Sequence, residues 1–156
     1  MKQLDITVPV EVRSFDELND TDRELVEASK RATQGSYAPY SHFYVGAAIR
    51  LSDGSVVTGA NQENAAFSSG TCAERSACFW AGANKPDLVM EKIAISARNA
   101  AGFQRKPISP CGACRQALLE YETKQGHPMQ VILYGEDECY LLPSVASLLP
   151  LCFTEF

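Results

Sequence analysis

Two short cysteine motifs constrain this chain more than any other feature: Thr71-Cys72-Ala73-Glu74-Arg75 and, further along, Pro110-Cys111-Gly112-Ala113-Cys114-Arg115. Together they offer three thiolates and one carboxylate. Structural zinc is almost always closed by four protein ligands, whereas catalytic zinc keeps three and leaves the fourth place to water or substrate. Three cysteines with a neighbouring glutamate therefore point to an open zinc site and to an enzyme.

Helix signals surround both motifs. Ser109 is placed to cap a helix beginning at Pro110, where a missing N–H costs nothing. Cys111 and Cys114 then lie three apart on one face. Thr71 is placed to cap an earlier helix with Cys72 in its first turn. Helix amino termini lower thiol pKa values and favour thiolate. Three thiolates around Zn²⁺ leave net negative charge, and Arg75 with the two helix ends is the offset that would let a bound water ionise. Glu74 is placed to take and return that proton.

Other readings of the same residues exist. Thr71 and Glu74 fit a plain capping box. Cys111 and Cys114 fit a dithiol redox motif, which leaves Cys72 and Glu74 unexplained. A closed structural zinc would need a fourth ligand from Cys78, Cys139, Cys152, His42 or His127, and the three extra cysteines read better as buried small hydrophobes.

The rest of the chain alternates strand and helix signals. Leu4, Ile6, Val8, Val10 and Val12 alternate with polar residues, a strand that Pro9 restricts to an edge. Thr21-Asp22-Arg23-Glu24 is a capping box opening a helix that Gly35 can stop. Phe43 to Leu51 alternates up to Asp53-Gly54 and Val56-Val57 follow, which predicts a hairpin. Thr71 to Ala83 is helical with Ala73, Ala77, Trp80 and Ala81 on one face. Ile93-Ala94-Ile95 is a short buried strand, 100–109 a loop, Cys111 to Glu122 a helix and Val131-Ile132-Leu133 a strand. Such alternation implies a layered α/β domain. The 156 residues fit one domain, 1–156, with 1–20 as an amino-terminal extension forming an edge strand.

A net charge of -5 and the lack of any basic run argue against a nucleic-acid partner. No signal-peptide or membrane-span pattern is present, so a cytoplasmic setting is expected, with the 6 cysteines as thiols or metal ligands.

A Cys-x-Glu followed by Pro-Cys-x-x-Cys is the known signature of zinc deaminases in its all-cysteine form. Beyond it, Tyr40-Ser41-His42-Phe43-Tyr44-Val45-Gly46-Ala47-Ala48, Asn61-Gln62-Glu63-Asn64-Ala65, Cys72-Ala73-Glu74-Arg75 and Pro110-Cys111-Gly112-Ala113-Cys114-Arg115-Gln116, in that order, closely resemble the small homotetrameric cytidine deaminases. The likeness runs from Thr21 to Phe153.

That resemblance implies a three-layer α/β/α fold with a mixed central sheet of about five strands. It also implies zinc-dependent deamination of cytidine and 2′-deoxycytidine in pyrimidine salvage, with one Zn²⁺ per chain. Cys72, Cys111 and Cys114 would bind the metal, Glu74 would shuttle protons and Arg75 would donate to the zinc-bound sulfurs. Asn61 and Glu63 would hold the ribose, while Phe43 and the backbone at Ala73 would hold the base. Phe153 would complete a neighbouring subunit's pocket in a homotetramer. Core packing for the two phenylalanines, and a solvated loop for Asn61 and Glu63, are the plainer alternatives. A cytosine-containing antibiotic nucleoside as substrate, and a zinc-stabilised binding module without catalysis, also stand beside this reading. Two departures are visible: Phe67 stands where the family has tyrosine, and the segment before Thr21 is longer than usual.

Overall fold

The computed structural model describes residues 1–154. In chain order its elements are β1 (Glu11–Arg13), α1 (Asp20–Ala32), β2 (Tyr44–Leu51), β3 (Val56–Ala60), α2 (Ala73–Asn84), β4 (Met90–Asn99), β5 (Gly102–Phe103), α3 (Gly112–Gln125), β6 (Gln130–Tyr134) and β7 (Cys139–Leu142). The strands form one sheet in the order β1-β7-β6-β4-β2-β3, with β5 paired to β4 beside this path. Only β4 and β6 pair in parallel, joined by a crossover through α3, so the sheet is mixed.

Period-two alternation divides the sheet into two apolar faces. Ala47, Ile49, Ile93, Ile95, Val131 and Leu133 pack with Ala77 and Ala81 of α2 and Leu118 of α3. Ala48, Ala94 and Ile132 pack on the other side with Leu25, Val26 and Ala28 of α1. The result is the expected three-layer α/β/α arrangement. β7 and β5 are the strands that periodicity did not register. β7 is buried at both ends rather than alternately, and β5 is two residues long.

The β2–β3 hairpin closes as Asp53-Gly54 predicts, with Gly54 at φ 84° and Asp53 Oδ1 accepting from the Ser55 amide at 2.9 Å. At its far end Gly59 meets α2: a Cβ there would stand 2.5 Å from both the Ala73 carbonyl oxygen and the Ala77 amide nitrogen. That close approach explains why α2 presents Ala73, Ala77, Cys78 and Ala81 to the sheet. It also corrects the placement of Trp80, which the face has no room for and which is 50% exposed.

Three other expectations need correction. Helix α1 starts before Thr21, because Asn19 is the N-cap, its Oδ1 accepting from the Asp22 amide at 2.9 Å. This start turns Asp22 inward to an ion pair with Lys92 of β4 at 2.6 Å. The alternation from Leu4 to Val12 yields strand pairing only over Glu11–Arg13, on the outer edge of β7. Pro9 cannot donate to a ladder, and Leu4, Ile6, Val8, Val10 and Val12 all stay exposed. The loop 100–109 contains β5, paired with the end of β4.

Candidate metal centre and active site

Strands β3 and β4 run in the same direction, each antiparallel to β2. Helices α2 and α3 follow them, so both helices begin at one end of the sheet. Their N-cap residues are the cysteines themselves: Cys72 for α2 and Cys111 for α3, with extended backbones and no side-chain cap. The expected caps at Thr71 and Ser109 are therefore one and two residues early. Cys114 lies in the first turn of α3, and Glu74 in the first turn of α2. Without a capping hydrogen bond, the capping-box reading of Thr71 and Glu74 fails.

The sulfur atoms of Cys72, Cys111 and Cys114 all lie within 4.8 Å of one another, and Cys72 and Cys111 are 4.0 Å apart. Tetrahedral ligation at ~2.3 Å per Zn–S bond places sulfurs about 3.8 Å apart, so the donor set fits zinc by both chemistry and spacing. Among the described residues no further His, Cys, Asp or Glu joins this cluster, so a closed four-ligand site finds no support. Cys78 and Cys139 are buried as expected, but Cys152 is exposed, which corrects its assignment to the interior. Burial pushes the Cys78 thiol up to about 12.

Cys72 and Cys114 are linked by a hydrogen bond between their sulfurs. A hydrogen bond from Cys114, followed by Arg75, pulls Cys72 down to about 5, and the same bond together with burial pushes Cys114 up. Arg75 Nη2 donates to Cys72 Sγ at 3.8 Å, and its Nε is buried without a hydrogen-bond partner among the described residues. A guanidinium against the sulfurs is the charge offset that a three-thiolate site requires. Glu74 is 4% exposed, and burial, then the negative charge of Cys72, raises its carboxyl above the usual carboxylate value.

A cavity of about 490 Å³ opens beside the cysteines, and Asn61, Glu63, Phe67, Cys72 and Arg75 are among its lining residues. The segment that carries Asn61 and Glu63 into its lining is braced by hydrogen bonds. The Gln62 and Thr71 backbones exchange two 2.9 Å hydrogen bonds, and the Glu63 amide donates to the Tyr37 carbonyl at 2.8 Å. Glu63 Oε2 accepts from the Tyr40 and Ser41 amides at 2.9 and 3.2 Å. The Ser41 hydroxyl and these amides hold its carboxyl below the usual range. Asn61 Oδ1 accepts from the Val45 amide at 2.8 Å while its Nδ2 donates to the Phe43 carbonyl at 2.9 Å. One lone pair and one N–H of that amide remain for another partner.

The other anticipated residues are more dispersed. Ala73 is buried at the start of α2, and Phe43 is half-buried just after His42, whose φ of 53° marks the turn that leads into β2. Phe153 lies outside the cavity lining; it is 67% exposed, and its carbonyl accepts from Gln116 Nε2 of α3 at 2.9 Å. Sequence reasoning did not single out Tyr40 and Ser41, whose amides hold Glu63, although both lie in a quoted motif. It also missed Arg115 and Glu122, whose partners are far away in sequence. A larger cleft of about 620 Å³ lies among Pro9, Lys92, Gln130 and Leu141, with no cysteine in its lining.

Residues 19–127 match the family described as the cytidine and deoxycytidylate deaminase zinc-binding region. The chain is 45% identical over 97 residues to a cytidine deaminase of Halalkalibacterium halodurans, covering 62% of this chain and 68% of that protein. A cytidine deaminase of Sporosarcina psychrophila is 38% identical over 132 residues, covering 85% and 90%. Among solved structures, the cytidine deaminase of Burkholderia pseudomallei superposes with a TM-score of 0.69 at 39% identity, covering 83% of this chain and 97% of that one.

Proposed function

The chain belongs to the cytidine and deoxycytidylate deaminases, the family of that zinc-binding region, and on this premise we propose that it hydrolyses cytidine and 2′-deoxycytidine to uridine and 2′-deoxyuridine with release of ammonia. The observation that carries this reading is the convergence of three cysteine sulfurs within 4.8 Å beside the buried Glu74. Cys72, Cys111 and Cys114 would hold one Zn²⁺. When bound, the ion would polarise a water and lower its pKa toward neutrality.

Every remaining task falls to residues of the chain. Glu74 takes a proton from the attacking water as its oxygen bonds to C4 of the base. It delivers that proton to ring N3, then guides the water's second proton to the departing amine as the C4–N bond breaks. Burial supports both halves of this cycle, because it raises the carboxyl toward the pH at which a group both accepts and releases protons. Arg75 keeps positive charge against Cys72, limiting the electron density that three thiolates would place on the site.

We assign Asn61 and Glu63 to the ribose, Phe43 and the Ala73 backbone to the base, and Phe153 to a second copy's pocket. The ionised Glu63 carboxylate in the cavity wall suits sugar hydroxyls and repels a phosphate, which favours nucleosides over nucleotides. The proposed assembly is a homotetramer. It is supported by exposed apolar side chains, with Phe79 at 48%, Trp80 at 50% and Phe153 at 67%. One continuous sheet supports treating the whole chain as one catalytic domain. Among the described residues no helix is long and apolar enough to cross a membrane. A cytoplasmic role in pyrimidine salvage is proposed with it, since reducing conditions keep ligand thiols available.

The test is the fall in absorbance as cytidine becomes uridine, with zinc per chain measured on the same sample. Turnover with about one zinc per three-cysteine site is expected. Full zinc without turnover on either nucleoside would overturn the assignment.

A further inference from the structure

Among the polar side chains of helix α3 that the chemistry above does not use, three are bonded to the last part of the chain. Glu122 accepts three backbone N–H groups: Met129 and Val145 at Oε2, both at 2.8 Å, and Ala146 at Oε1 at 3.1 Å. Arg115 donates from Nε to the Pro110 carbonyl and from Nη1 to the Leu148 carbonyl, both at 2.8 Å. Gln116 donates to the Phe153 carbonyl. Val145 and Leu148 are buried in the core between them, in a short 3-10 turn capped by Ser144.

Arg115 stands at a junction. It directly follows the ligand Cys114, and its acceptor Pro110 directly precedes the ligand Cys111. A guanidinium is a rigid planar fork, so fixing one acceptor fixes where the other must lie. A single side chain thereby spans the cysteine turn and the closing segment 144–153. Glu122 grips the same segment one helical stretch away, without touching the turn.

We propose that Arg115 is a positioning residue that couples the cysteine turn to the closing segment, with Glu122 as the independent anchor of that segment. The turn is ordered when its sulfurs are ligated, and the Pro110 carbonyl then holds the fork in the one orientation that also meets Leu148. The consequence for catalysis rests on the proposed role of Phe153 in a second copy's pocket. With its carbonyl tied to α3, the largely exposed Phe153 is carried by a backbone held in place.

Amide hydrogen exchange of the full-length protein, before and after zinc removal by a chelator, tests the coupling. The Leu149 amide, which donates to the Ala146 carbonyl at 3.0 Å, reports the Arg115 end of the segment, and the Val145 and Ala146 amides report Glu122. In the natural chain, chelation should speed exchange at Leu149 by about tenfold or more, the effect of losing a charge-assisted hydrogen bond. Arg115→Met keeps the apolar stem and removes both donors. It should exchange fast at Leu149 with or without metal, and Arg115→Lys should recover part of the slow exchange. Glu122→Gln should speed exchange at Val145 and Ala146 while retaining zinc and the Leu149 response.

A chelation response at Leu149 that is absent from the natural chain, or unchanged in Arg115→Met, overturns the coupling. Should Arg115→Met fail to fold, Arg115→Lys serves the same comparison, since its ammonium lacks the planar fork; a response equal to the natural chain's overturns the proposal there too. On cytidine, the zinc-loaded Arg115→Met and Glu122→Gln enzymes should show a raised KM with a smaller change in kcat. A normal KM alongside the exchange pattern would leave the coupling standing and remove the pocket role of Phe153 instead.

Discussion

The sulfur atoms of Cys72 and Cys111 lie 4.0 Å apart although 39 positions separate them. Each cysteine is the N-cap of its own helix, so this contact exists only when α2 and α3 begin side by side at one end of the sheet. A metal held by all three sulfurs binds the folded chain more tightly than the unfolded one, in which only Cys111 and Cys114 stay close. Chelation should therefore lower the thermal midpoint, by at most the equivalent of about 4 kcal/mol when free zinc had stood a thousandfold above its Kd. Cys72→Ser should lose zinc and show that lower midpoint without chelator, whereas Cys78→Ala should keep its zinc. A midpoint indifferent to chelation would count against the site.

Thiol labelling separates the six cysteines. In the zinc-loaded protein at pH 7.5, a condition chosen below the usual thiol pKa, an alkylating reagent should reach the exposed Cys152. After chelation Cys72 and Cys111 should be labelled as well. Cys78 and Cys139 should stay unlabelled until the chain unfolds, Cys78 doubly so because burial holds its thiol near 12. Labelling of Cys72 and Cys111 at equal rates with and without zinc would contradict their assignment as ligands.

Glu74→Gln keeps the shape of the side chain and removes its ability to carry a proton. Zinc content should remain that of the natural protein while kcat falls at least ~10³-fold, the scale of general acid–base contributions. Near-normal turnover in this variant would remove Glu74 from the mechanism.

Glu63 gives a pH signature. Its carboxyl is held below the ordinary glutamate range, first by the Ser41 hydroxyl and then by the Tyr40 amide. A depressed folded value means that the contact is fully present above the unfolded pKa and is lost as pH falls through the folded one. The Tyr40 and Ser41 amide NMR signals should therefore hold constant through neutral pH and titrate only at acid pH, with a midpoint below that of an ordinary glutamate. A midpoint at or above that value would mean the carboxylate is not held by these donors.

Gly59→Ala would drive a methyl into backbone atoms of α2 that no side-chain rotation can move aside. The expected loss is about 1–3 kcal/mol in chemical unfolding, with weakened zinc retention, because the clash falls on the turn that carries Cys72 and Glu74. Unchanged stability would show that α2 can shift away from β3 without cost.

Much of this molecule was legible in its residues. The alternation from Tyr44 to Leu51 and the Asp53-Gly54 turn predicted the hairpin because both are local, fixed by the pleat and by a glycine at positive φ. Trp80 was misplaced because helical spacing alone cannot tell how closely a sheet approaches, and Gly59 sets that distance. Leu4 to Val12 had the right period for a strand. An edge offers only one hydrogen-bonding neighbour, though, and three residues took it.

By itself the sequence determined the three-cysteine donor set, the carboxylate beside it and the layered order of strands and helices, since each is written in residue types at short spacing. Only the tertiary structure decided that Cys72 and Cys111 start their helices, that Tyr40 and Ser41 hold Glu63, and that Arg115 and Glu122 grip the end of the chain. Those contacts join residues far apart in sequence, and their geometry depends on how densely helices pack on a sheet, which no local pattern records.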